Sequence, residues 1–119
     1  MTIQDIANDL VALCRAGKFD EVGEKYWAED VVSVEPMEGD MAEIHGKDAV
    51  RAKGEWWFAA HEVHAFEVEG PYVNGEEFAV RFKMDITQKE TGQRMQMDEF
   101  ALYTVIDDEI VEERFYYAS

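Results

Sequence analysis

At residue 62 the apolar side chains change spacing from a helical repeat to strict alternation, and this switch constrains the fold more than any other feature. Upstream, Ile3, Ile6, Ala7, Leu10, Leu13 and Cys14 recur at helical spacing with Asp5, Asn8 and Asp9 opposite, which predicts an amphipathic helix over 2–16 ended by Gly17. Phe19, Val22 and Tyr26 mark a second, shorter helix, and the β-branched run 31–35 before Pro36 a short strand. Residues 37–46 read as loop and 47–61 as a third helix weakened by Gly54. Downstream the period is two throughout. Asn74–Gly75 signals a type I′ hairpin, Phe78, Val80, Phe82, Met84 and Ile86 alternate with polar residues, and Asp107–Asp108 makes the last turn. Three N-terminal helices followed by a meander of long strands predict one α+β domain over 1–119, with helices on one face of a curved, mostly antiparallel sheet.

Composition sets what such a domain can meet. A chain of 119 residues, 47% hydrophobic, buries enough surface to fold without a disulfide or metal staple. Its net charge of −16, from 27 acids against 11 bases, argues against nucleic acid and against an anionic membrane surface. The single Cys14 sits among Leu10, Val11 and Leu13, reads as a buried small hydrophobe, and fits a reducing compartment. Neither a secretory leader nor a run long enough to span a bilayer is visible, so a cytoplasmic location is expected.

This order of elements, with YWAEDVVSVEP after the second helix and TVIDDEIVEERFYY at the C-terminal end, resembles the SnoaL-like branch of the NTF2-like (cystatin-like) superfamily over essentially the whole chain. The resemblance implies a cone whose open end admits small apolar molecules, and often a homodimer packed through the outer sheet face. The superfamily includes polyketide cyclases, ketosteroid isomerases, epoxide hydrolases and dehydratases as well as non-enzymes, so fold alone does not fix function. The general-base position of the ketosteroid isomerases, just before a proline at the end of the first strand, resembles Glu35 before Pro36. Their helix tyrosine falls near Leu10, and their protonated acid near Ala101, two residues from Glu99. With two of three roles displaced, steroid isomerisation itself is not expected.

In the hairpin register that matches the family, Met97, Glu99, Ala101 and Tyr103 point the same way as Glu113, Phe115 and Tyr117, into the cone. Glu35, Glu99 and Glu113 are then the candidate catalytic residues, since carboxylates sharing an apolar cavity cannot all ionise and one becomes a general acid or base near neutral pH. His64, Tyr103, Tyr117, Trp27, Trp56 and Phe82 are the candidate substrate contacts, as hydrogen-bonding groups and apolar walls. The opposite face carries Lys83 beside Asp98, with Phe100, Leu102 and Ile106, and is the expected homodimer surface. Arg81 and Arg114 fall outside the cone, which leaves the inner acids unpaired.

No metal and no cofactor are expected, because no ligand spacing or Gly-rich phosphate loop is present. The expected partner is a small organic ligand or substrate, acted on by cofactor-independent isomerisation, cyclisation, dehydration or hydrolysis. Two other readings fit the same residues: a non-catalytic ligand-binding or dimerisation module, and an acidic pocket for a cation such as an amine.

Overall fold

The computed structural model describes residues 1–118, in the order α1 (Ile3–Arg15), α2 (Phe19–Tyr26), β1 (Trp27–Val34), β2 (Glu43–His45), α3 (Lys47–Ala60), β3 (His61–Asn74), β4 (Glu77–Gln88), β5 (Arg94–Ile106) and β6 (Glu109–Tyr116). The six strands form one curved sheet in the order β2-β1-β6-β5-β4-β3, antiparallel except where β1 runs parallel to β6. The α+β class therefore stands. The three helices are not all N-terminal, however, because β1 and β2 intervene before α3. The segment 37–46, expected as loop, supplies β2, whose Glu43–His45 pairs with Val32–Val34.

Local chemistry fixes the helix ends. Thr2 and Asp5 form a capping box, the Asp5 amide donating to Thr2 Oγ1 (3.1 Å) and the Thr2 amide to Asp5 Oδ2 (3.0 Å). At the other end of α1, Gly17 takes φ 77° while its amide donates to Cys14 O and that of Lys18 to Leu13 O, a Schellman closure. Helix α2 then passes into β1 without a loop, so the strand starts at Trp27, four residues before its β-branched run. Gly23 is needed there, because a Cβ would lie 2.5 Å from the Trp27 ring.

Two tight turns connect the strands of the meander, and between β5 and β6 the pairing then shifts by one residue, from Val105–Ile110 to Thr104–Glu112. Asp107 and Asp108 both adopt positive φ (52° and 63°) between paired Ile106 and Glu109, the geometry of a type I′ turn made without glycine. At the first hairpin Asn74 pairs with Glu77, so the turn centres on Gly75–Glu76, one residue later than expected. The core lies between α1 and the concave sheet face, where Ile6, Leu10 and Val11 meet Phe78, Val80 and Ile86. Leu10 and Ala101, at the positions matching isomerase functional groups, are wholly buried.

Candidate functional site

The pleat decides which side chains meet on the concave face. Across four strands, Ser33 of β1 lies opposite Glu113 of β6, Glu113 opposite Tyr103 of β5, and Tyr103 opposite Phe78 of β4. Tyr103 and Phe78 stack at 5.0 Å, which closes the deep end of this row. Two residues along, Phe115, Ala101 and Val80 form the next row, and beyond them Glu99 faces Phe82 and Phe82 faces Val68. Glu35 follows directly on β1, its amide donating to Ala42 O (2.7 Å), and its side chain lines the cavity that this face bounds.

Helix α3 covers these rows and contributes the group that sequence reasoning missed. Lys53 Nζ lies 2.8 Å from Glu35 Oε1, donates to Ser33 Oγ at 2.8 Å, and rests 5.2 Å from the Phe115 ring centroid. Glu35 is therefore paired, against the expectation of unpaired inner acids. The signal was present: Lys53 occupies the stripe of Val50, Gly54 and Trp57, a lone cation on an otherwise apolar helix face.

These elements enclose a cavity of about 1120 Å³, open past the exposed Met37, Met41 and Trp56. Glu35, Glu99, Glu113, Tyr103, Tyr117, Trp27, Trp56 and Phe82 all line it; Trp56, at 60% exposure, stands at the mouth rather than in the wall. His64 lies outside. Val63 pairs with Ile86 and Ala65 with Asp85, so His64 is the extra residue of a β-bulge, exposed and bonded to Thr87 Oγ1 at 2.7 Å. Counting back in twos from Phe66 points His64 inward, and the bulge reverses that parity. The expected external position of the arginines agrees with the structure: Arg81 grips Asp98 (2.9 and 2.6 Å) and Arg114 reaches Glu112.

The electrostatics separate the inner acids. Glu113 is 7% exposed and its Oε1 has no hydrogen-bond partner among the described residues. Burial pushes it up to about 7, with Glu35 and Glu99 adding to the rise and Lys53 opposing it. Glu99 is also raised to about 7, by burial and then by Glu35, again against Lys53. Burial holds the Tyr103 hydroxyl well above its usual range, and burial with a Glu35 hydrogen bond takes Tyr117 up to about 12, so both remain donors at neutral pH. Cys14 is pushed up to about 12 by burial and by Glu113, an inert thiol. Among the described residues, no three His, Cys, Asp or Glu side chains are grouped so as to hold a metal ion, and no helix is long and apolar enough to cross a membrane.

The family described as SnoaL-like domain matches residues 1–117. A Mesorhizobium loti protein, described as a candidate SnoaL-like polyketide cyclase with carbohydrate phosphatase as a second designation, is 56% identical, with 98% of this chain and 100% of that one covered at a TM-score of 0.95. A candidate isomerase from Bacillus subtilis superposes with a TM-score of 0.80 at 21% identity, covering 99% of this chain and 90% of its own. A Catenulispora acidiphila protein with a ketosteroid isomerase-like fold, crystallised with trimethylamine, gives 0.74 at 18% identity, covering 98% and 88%. No curated protein matches.

Proposed function

Since the chain belongs to the SnoaL-like domain family, we propose that its cavity is the acid–base site of a small-molecule enzyme needing no cofactor. The reading is carried by one observation: Glu99 and Glu113, on adjacent strands, face a single apolar cavity and are both raised to about 7. Near neutral pH such a pair is partly ionised. The ionised member takes a proton from the substrate, and the neutral member donates one to the oxygen on which negative charge develops, so no net proton is gained or lost.

The remaining groups have distinct roles. Glu35, matched to the isomerase base by sequence, is held by Lys53 and orients rather than abstracts. Tyr103 and Tyr117 supply neutral hydroxyl donors, and Trp27 and Phe82 dry walls that strengthen each polar contact. Isomerisation, cyclisation and dehydration all use this proton traffic. Phosphate-ester hydrolysis does not suit it, because a phosphate dianion would confront the inner carboxylates while Lys53 is already engaged by Glu35.

The test is a carboxyl NMR titration of the unliganded protein, with Glu99→Gln and Glu113→Gln to assign the signals. Both carboxyls are expected to titrate near 7; midpoints near the ordinary 4.5 would place them in water and end the assignment. We further propose that two copies pair through the convex face, where the cross-strand pair Phe100 (45% exposed) and Tyr116 (48%) stands in the open. Sedimentation is expected to show a dimer that Phe100→Glu dissociates, and a monomeric wild type would refute the pairing.

A further inference from the structure

We propose that the molecule taken by this cavity is an amphiphilic organic cation, a protonated or quaternary amine on an apolar body. The proposal rests on the acid–base reading for its site and adds the charge of the substrate. Three observations converge on it. The inner wall sets Glu35, Glu99 and Glu113 against Lys53 alone, and at the rim Asp20 and Glu55 outnumber Arg51, which turns toward Asp48 at 3.7 Å. Glu113, buried to 7% exposure, has an Oε1 with no hydrogen-bond partner among the described residues, and the one cation that acts on it, Lys53, is already bound to Glu35.

The third observation is how the cavity already holds one ammonium. Lys53 Nζ rests between a carboxylate oxygen, a hydroxyl and an aromatic face, the Glu35, Ser33 and Phe115 set. The same kinds of group lie beside the other two carboxyls of the cavity: Tyr103, paired with Glu113, brings a hydroxyl, and Phe82, paired with Glu99, an aromatic ring. A cavity of about 1120 Å³ with Trp56, Met37 and Met41 at its mouth is far larger than an ammonium, so the charge must travel on an apolar body that enters charge first. The net charge of −16 draws such a ligand in and repels anions.

Cation and neutral ligand differ in the sign of their proton linkage. An ammonium beside Glu99 and Glu113 favours their ionised forms, so binding releases protons to water. A neutral body displaces water from the same carboxyls and binding takes protons up. Phenyltrimethylammonium and its uncharged isostere tert-butylbenzene separate the two. Affinity is read by tryptophan fluorescence, and proton exchange by an indicator dye at pH 6.5 in weak buffer.

The cation is expected to bind at least about tenfold more tightly, to release protons, and to weaken with salt. Glu113→Gln and Glu99→Gln should each lower its affinity about tenfold and reduce the release, leaving tert-butylbenzene affinity unchanged or raised. Equal or tighter binding of tert-butylbenzene with proton uptake overturns the proposal while leaving the acid–base site standing. Binding of neither probe also overturns it, and the carboxyl titration of the unliganded protein then decides the acid–base reading by itself.

Discussion

Asp98 and Glu99 are neighbours in sequence and opposites in chemistry. On the convex face Asp98 is held below the usual carboxylate range by the Arg81 guanidinium, and Asp85 likewise by Arg94. On the concave face Glu99 and Glu113 are raised to about 7. The strands are the same and the charge density is similar; what differs is water and a cation. Outside, long arginines reach acids across the pleat in solvent. Inside, one lysine serves three carboxylates and is committed to Glu35. The contrast shows that a chain rich in acids becomes chemically selective only where burial withholds compensation.

The contrast breaks most sharply at Glu113. Its folded value of about 7 lies above its ordinary 4.5, so the native state binds the extra proton between those values and stability falls as pH rises through that window. Glu113→Gln removes the charge to be buried. At pH 8 the variant is expected to exceed the wild type by about 3 kcal/mol, and at pH 4 to match it, in urea denaturation. A difference independent of pH would mean that Glu113 is ionised freely.

Lys53→Met is the second test. Without the ammonium, both Glu99 and Glu113 lose the one group that lowers them and should titrate above 7 by NMR. Glu35, 16% exposed, is left without its partner, at a cost of about 2 kcal/mol in denaturation. Unmoved midpoints would show that Lys53 does not set the inner electrostatics. The smallest effect is expected outside. Asp98→Asn deletes an exposed pair and should leave both the inner carboxyl midpoints and the denaturation midpoint in place, whereas a shift of either inner midpoint would show that the two faces communicate.

Much of the site was legible because alternation is legible. Counting in twos back from the Asp107–Asp108 turn places Val105, Tyr103, Ala101 and Glu99 of β5 on the concave face, but on β6 it is the register of the family resemblance, not the turn, that puts Glu113 there, because the pairing shifts by one residue between Val105–Ile110 and Thr104–Glu112. The count fails where the backbone inserts a residue. At His64 nothing in the local sequence marks the bulge, because an exposed histidine beside Ala65 obeys no rule of period two. The short β2 was hidden for a related reason: Glu43, Ile44 and His45 become a strand only by pairing with β1.

What the sequence determined by itself is therefore what depends on near neighbours: the end of α1 at Gly17, the periodicity within each strand, and the turn at Asp107–Asp108. What only the tertiary structure decided is which charges meet. Lys53 and Glu35 lie on different elements, far apart along the chain, and their approach to 2.8 Å follows from how α3 crosses the sheet. Period and capping are short-range consequences of backbone sterics and hydrogen bonding. The ionisation of a carboxyl depends on every dipole, charge and water within reach, and that environment exists only once the chain has closed around it.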